Sequence, residues 1–596
     1  MFTAATVSFA GKPHLAIQYS SRRGGVSWTH DELQRMTDTF ANGLLALGAV
    51  SGDRIGIIAE NRPEWIVADQ AILAIGACDV PIFPSLTAEQ AKWIFTDAGV
   101  SIVIVSNDYQ LKKLLSIADA LPYLRTIIVL NDDAASADAR VISFHDVRRQ
   151  GERYTALHSE YLAQARANVK SEDVATIIYT SGTTGTPKGV MLTHGNIVFD
   201  LRAAVAALPQ FDEKDVFFSY LPLCHSFERI AYYFMFASGV TIVLAESVET
   251  VSEHLPKAQP TIVTTVPRLF ERMHARILKS METAPPRTRK IFAWAVATGL
   301  RYKSHARNGR TAPWLRMQYA LADRLVFTKL RARLGGRIRF FVSGGAPLPL
   351  SLAEFFDAAG ILILEGYGMT ECSPVISVNP YNRNKFGTVG KPLPGVEVTI
   401  APDGEILTRG GHVMRGYWRN EEATREAIDA AGWMHTGDIG ELDSEGYLKI
   451  TDRKKHLFVS SGGKNIAPQH IENLLLESPL IDQAIIIGDR KPYITALIVP
   501  EFDALREKAK RLGINARNEK ELVADQQIHE TMEREIAARL SGLANYERVR
   551  RFTILSTPFA AETGELTPTM KVRRAAVEKK FAVEIERMYK TEMRTS

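Results

Sequence analysis

At 596 residues, with 46% hydrophobic and 23% charged residues, the chain reads as an ordinary globular protein too long for one hydrophobic core. Its formal net charge of +5 is small for this length, so charge alone implies no nucleic-acid partner and none is expected. Three well-separated cysteines, Cys78, Cys224 and Cys372, have no CxxC spacing that could hold zinc and are odd in number, which fits a reduced, intracellular setting.

The N-terminal stretch MFTAATVSFAGKPHLAIQYSSRRGG lacks the basic start and unbroken apolar run of a signal peptide, and no segment reaches the roughly 18 apolar residues of a membrane span. A cytoplasmic protein is expected, with any membrane contact peripheral and at the inner face. DELQRMTDTFANGLLAL, from residue 31, has apolar residues at helical spacing. RIGIIAEN, VSIVIVSN, TIIVLND and VTIVLAES read as buried strands, and their alternation with amphipathic stretches predicts mainly parallel α/β layers.

Between two of these runs, residues 179–197 read YTSGTTGTPKGVMLTHGNI, with glycines and hydroxyl residues around one lysine, Lys188. The Walker spacing fails, because Gly185 is followed by Thr186 and Pro187 before the lysine. The chemistry still suits polyphosphate. The run VATIIY feeds a turn in which Gly182 and Gly185 expose backbone N–H groups, Thr180, Ser181, Thr183 and Thr184 add hydroxyls, and Lys188 adds charge. From about Gly387 the texture becomes short polar strands with turns, so a β-rich subdomain is expected over about 387–450. PQHIENLLLES reads as a helix and QAIIIGD as a strand of a separate small α+β domain, its boundary near Lys455.

With VSWTHDEL near residue 26, LPLCHSFER, VPRLFERM, LEGYGMTECSPV, DRKKHLFVSSGGKNIAPQHIE and TPTMKVRR in order, nearly the whole chain resembles the adenylate-forming acyl-CoA synthetases, closest to the long-chain fatty acid–CoA ligases. The resemblance implies a large multi-layer α/β N-terminal domain, 1–454, with the β-rich subdomain, and a small mobile α+β C-terminal domain, 455–596. It also implies ATP-dependent activation of a fatty acid to acyl-AMP with release of pyrophosphate, then transfer to CoA, with Mg2+ as cofactor. Two alternatives stay open: a ligase that loads an acyl carrier protein, and a silent acyl- or nucleotide-binding protein.

Residue by residue, the resemblance makes Tyr367 in EGYGMTE the adenine-packing aromatic, Thr370 a phosphate contact and Glu371 the Mg2+ carboxylate, with Gly368 in the same pocket. Gly344 and Gly345, which lack side chains, would let the planar base approach the backbone. Asp438 in HTGDIG resembles the ribose carboxylate and Arg453 the arginine that joins it. Lys571 resembles the lysine that reaches the α-phosphate and the attacking carboxylate; Met570 stands before it where the family usually has glycine. Lys455 resembles the hinge about which the small domain turns. His225 matches a position lining the route from acyl pocket to thiol. Thr184 and Lys188 complete the catalytic set.

Residues 283–339 hold fourteen Lys/Arg with Asp323 as the one acid, together with Phe292, Trp294, Trp314 and Phe327. This reads either as a basic, aromatic surface for anionic membrane or as a solvated helical face with aromatic core anchors. A homodimer is a further expectation.

Overall fold

The computed structural model describes residues 5, 8–9, 16–18, 25–131, 136–180, 187–245, 247, 250–307, 309, 311–454, 458–459, 465–466, 468–489, 491–560, 563–566 and 572–590. The first long helix, His30–Ala46, begins where Thr29 and Glu32 close a reciprocal cap. Glu32 N donates to Thr29 Oγ1 at 3.2 Å, and Thr29 N donates to Glu32 Oε2 at 2.7 Å. Leu33, Phe40 and Leu44 form its buried face.

The four predicted apolar runs are all strands: Arg54–Ile58, Ile102–Val105, Thr126–Val129 and Thr241–Leu244. The first three belong to an eight-stranded sheet whose order runs Gly416–Tyr417, Lys188–Thr193, Val174–Thr180, Cys78–Ile82, Arg54–Ile58, Ile102–Val105, Thr126–Val129, Val141–Ser143. The central strands pair in parallel and are buried throughout, which is why they read as continuous apolar runs without alternation. A second eight-stranded sheet carries Thr241–Leu244, Val216–Ser219, Ile262–Thr265, Phe340–Ser343 and Ile363–Gly368 as successive parallel neighbours, and ends in the antiparallel strands Val375–Val378 and Lys391–Pro392.

The β-rich texture after Gly387 resolves into a four-stranded sheet of Glu397–Ile400, Glu405–Arg409, Met434–Leu442 and Leu448–Arg453 in chain order. The chain forms two compact units. One comprises Met1–Val398, Leu407–His435 and Ser444–Leu448; the other comprises Thr399–Ile406, Thr436–Asp443 and Lys449–Ser596. In the second unit the predicted helix is Pro468–Leu476, and the predicted strand is Ile481–Ile487 in a three-stranded sheet with Ile494–Pro500 and Val549–Ile554. Ile471, Leu475, Ile486, Ala496, Ile498 and Met532 are among its core residues.

The basic segment is helical, with helices Pro286–Arg307 and Pro313–Ala322 followed by a π turn at Asp323–Phe327. Its aromatics divide between core and surface. Phe327 is a buried core anchor, and Phe292 and Trp294 pack half-buried against the same core. Trp314 is 56% exposed, and Met317, Leu321 and Leu325 join it at the surface. The spacing of these four places them on one helical face. Arg316, Arg324 and Lys329 of the same segment are also exposed.

Candidate functional site

Val174–Thr180 and Lys188–Thr193 are antiparallel partners, and the last pair of their register is Thr180 with Lys188. The Gly-rich stretch is therefore a hairpin connection flanked by these two residues. Ser181, Gly182, Thr183, Thr184 and Gly185 lie outside the described residues. Gly189 follows Lys188 at a crowded point, where a Cβ would stand 2.8 Å from Ile177 Cγ2.

The short strand Gly416–Tyr417 pairs with the outer edge of Lys188–Thr193, setting Tyr417 opposite Val190. This register brings three groups together. Tyr417 Oη donates to Glu371 Oε1 at 3.0 Å, and Lys188 Nζ lies 5.0 Å from the centre of the Tyr417 ring. Burial, and then the Glu371 carboxylate, push the Tyr417 hydroxyl well above its ordinary range, so it is a fixed donor. Glu371 is 9% exposed, in a short 3-10 turn at Thr370–Cys372, and its carbonyl accepts from Met414 N at 2.8 Å.

Beside Glu371, Thr370 Oγ1 lies 3.3 Å from Ser226 Oγ. Ser226 opens the helix Ser226–Ala237, whose cap is His225; its Nδ1 accepts from Phe227 N at 3.2 Å. His225 is partly exposed and faces Phe83, with ring centres 6.4 Å apart. Tyr367 is buried on Ile363–Gly368. Gly368 has a steric reason to be glycine, since a Cβ there would stand 1.8 Å from the Pro374 carbonyl oxygen. Gly345 has φ +79°, which a side chain tolerates poorly, and it is exposed next to the buried Gly344. Three residues after Gly345, Leu348 N donates to Glu365 Oε2 at 3.4 Å. Burial pushes the Glu365 carboxyl up to about 7.

In the other unit, Asp438 is buried on Met434–Leu442, and Arg453 ends the neighbouring strand. Arg453 Nε lies 3.1 Å from Asp438 Oδ1, and Asp438 N donates to Thr436 Oγ1 at 3.1 Å. The pair links two adjacent strands of the sheet. Lys455 and Lys571 lie outside the described residues.

Three residues of the site escape a sequence reading. Tyr417 carries no local signal, because only the pairing of two strands far apart in the chain sets it against Glu371. Ser226 and Arg229 stand in LPLCHSFER, where His225 draws attention first; the buried partners of Arg229 appear only in three dimensions. Among the described residues no cluster of three or more His, Cys, Asp or Glu could hold a metal ion by itself.

Residues 4–418 match the family described as AMP-binding enzyme, and residues 455–593 match the AMP-binding enzyme C-terminal domain. The chain belongs to the AMP-binding enzyme family. It is 38% identical over 560 residues to long-chain-fatty-acid–CoA ligase FadD15 of Mycobacterium bovis, covering 93% of this chain and 90% of that protein. It is 34% identical over 617 residues to the peroxisomal long chain acyl-CoA synthetase 7 of Arabidopsis thaliana, covering 99% and 85%. Its fold superposes on the anthranilate CoA ligase AuaEII, in complex with anthranoyl-AMP, with a TM-score of 0.72 at 20% identity and 98% coverage of both chains.

Proposed function

We propose that this protein is an AMP-forming fatty acid–CoA ligase acting on long-chain acids. It joins the fatty carboxylate to the α-phosphate of ATP, expels pyrophosphate, and passes the acyl group from acyl-AMP to the CoA thiol. The observation that carries the reading is the convergence of Lys188, Tyr417 and Glu371 at the base of the Gly/Thr-rich hairpin, in a chain similar along nearly its whole length to long-chain fatty acid ligases. The substrates bring the difficulty that this arrangement meets, because a carboxylate and a triphosphate repel each other and the leaving group gathers charge.

In this reading Lys188, Thr180, Ser181, Gly182, Thr183, Thr184 and Gly185 cradle the phosphates, and Thr370 adds a hydroxyl. Gly344, Gly345, Tyr367 and Gly368 receive adenine. Asp438 accepts from the ribose hydroxyls, and Arg453 holds it. Mg2+ fits the donor set, since one carboxylate, Glu371, together with substrate phosphates and water, is what this hard cation takes in place of an all-protein cage. When bound, it neutralises charge on the phosphates.

The same reading divides the chain into 1–454 and 455–596, with Lys455 as hinge. Rotation about it withdraws Lys571 after adenylation and opens the thiol route past His225. A cytoplasmic location is supported by Cys78, Cys224 and Cys372 being few, far apart in sequence and buried. No helix among the described residues is long and apolar enough to cross a membrane. Peripheral contact with the anionic inner face is supported by the exposed stripe Trp314, Met317, Leu321 and Leu325 amid arginines and lysines. Homodimer formation is a separate proposal, checked by sedimentation equilibrium.

The deciding experiment measures fatty-acid-dependent pyrophosphate release, then AMP formation with CoA and with a phosphopantetheine carrier, over acids from acetate to very-long-chain. CoA-dependent AMP formation that peaks with long acids is expected. Preference for the carrier selects the rival reading, and absence of pyrophosphate release strikes enzymatic activation altogether.

A further inference from the structure

Helix Ser226–Ala237 makes buried polar contacts to both large sheets through two successive residues. Glu228, 0% exposed, takes hydrogen bonds from the Ser219 and Thr264 hydroxyls, at 2.5 Å each, on neighbouring strands of one sheet. Arg229, 2% exposed, turns to the other sheet. Its Nη1 donates to Thr176 Oγ1 at 3.0 Å, and its Nη2 lies 2.8 Å from Asp79 Oδ2 and pairs with Asp69. Its Nε donates to Tyr233 Oη at 2.7 Å, and Tyr233 Oη donates to Asp69 Oδ2 at 2.6 Å. Thr176 and Asp79 are register partners on adjacent strands.

Every side chain of this cluster is buried, and two carboxylates around one guanidinium are costly to bury. Burial pushes the Asp79 carboxyl upward, which eases the excess of negative charge. The location suggests what the cluster does. Thr176 lies on Val174–Thr180, the strand that delivers the chain to the Gly/Thr-rich hairpin, and Arg229 lies one helical turn after His225 and Ser226. Ser226 in turn meets Thr370. A planar guanidinium with several donors can fix a strand and a helix in two directions at once, which an ammonium cannot.

We propose that Arg229, braced by Glu228, is a positioning residue that fixes the helix bearing His225 and Ser226 against the strand entering the phosphate hairpin, and so sets Thr370 and Lys188 in register. This rests on the ligase reading for its kinetic test. Positioning acts on turnover, because a small misplacement of reacting groups is costly while the groups that bind ATP remain present.

The test compares full-length wild type with Arg229→Lys, Thr176→Val and the double variant. The readings are pyrophosphate release per active site, KM for ATP, thermal unfolding, and hydrogen exchange along residues 174–180. In folded protein, Arg229→Lys should lower adenylation turnover per site about 10- to 100-fold with KM for ATP within about 3-fold of wild type. Thr176→Val should lower it less, and the double variant should match Arg229→Lys and not the product of the two effects, since both remove one contact. Exchange should rise at residues 174–180 ahead of the rest of the unit. Normal per-site turnover with only a lower Tm, or independent multiplying effects, would overturn the proposal. If Arg229→Lys fails to fold, Thr176→Val alone decides by the same readings. A wild type that releases no fatty-acid-dependent pyrophosphate strikes the ligase reading, and the brace is then judged by exchange in Thr176→Val, where unchanged protection at residues 174–180 overturns it.

Discussion

Tyr417 donates its hydroxyl to Glu371 Oε1 at 3.0 Å, from a two-residue strand that pairs with the strand beginning at Lys188. One aromatic residue thus touches the carboxylate by its hydroxyl and faces the lysine by its ring. The first prediction follows from the hydroxyl. Tyr417→Phe keeps the ring under Lys188 and removes the bond to Glu371, a loss of about 1.5 kcal/mol, or about 10-fold in kcat/KM for ATP. Fatty-acid KM should move less. Unaltered ATP kinetics would separate Tyr417 from the site.

Lys188 is expected to meet pyrophosphate as that group separates. Lys188→Ala removes one charge-assisted contact of about 1.5 to 3 kcal/mol, a roughly 10- to 150-fold drop in kcat/KM for ATP. Thr184→Val should fall in the same direction by a smaller factor. Separate titrations of ATP, fatty acid and CoA check this, and normal ATP kinetics in both variants would reduce the hairpin to a plain connection.

The two half-reactions should separate genetically. Lys571→Ala should slow acyl-AMP formation about 100-fold or more while thioester formation from supplied acyl-AMP largely survives. Lys455→Pro fixes φ at the hinge and should spare one half-reaction far more than the other, with normal thermal stability. Equal loss of both steps in either folded variant counts against the role assigned to it.

Glu228 makes a prediction about stability. Burial pushes its carboxyl up to about 8 from an ordinary 4.5. The unfolded chain releases this proton above about pH 4.5 while the folded chain keeps it, so the contribution is fully present at low pH and declines as pH rises toward about 8. Glu228→Gln has no proton to release and offers one acceptor and one donor to Ser219 and Thr264. Its Tm relative to wild type should therefore climb between about pH 5 and about pH 8. A constant difference across that range would show that the carboxyl does not titrate there.

The exposed stripe predicts lipid binding. Trp314→Ser, Met317→Ser and Leu321→Ser together should weaken partitioning to phosphatidylglycerol vesicles about 30-fold, the equivalent of about 2 kcal/mol of partly inserted apolar surface. Phosphatidylcholine vesicles should bind wild type poorly. Equal binding of the triple variant and wild type would assign the stripe elsewhere, and a loss of self-association in place of lipid binding would make it a contact between copies.

The strands were legible because their periodicity is local: RIGII and IVIV are buried on both faces of a parallel sheet, and burial on both faces leaves no polar alternation to misread. The helix at His30–Ala46 was legible for the same reason, since its apolar spacing is a local pattern. The site motifs were readable as chemistry, because Gly, Thr and Lys in one short stretch suit phosphate wherever the chain takes them.

Tertiary structure decided what those motifs touch. Tyr417 reaches Glu371, and Arg229 reaches Thr176 and Asp79, across long separations in sequence that only sheet order and register specify. The aromatics of the basic segment divided in the same way, Phe327 going into the core and Trp314 to the surface, although their local sequences give no ground for choosing. Periodicity reports which face of an element is apolar. Which neighbour covers that face, and which polar side chain is left to find a partner beneath it, depends on packing between distant segments, and that information is held by the folded chain as a whole.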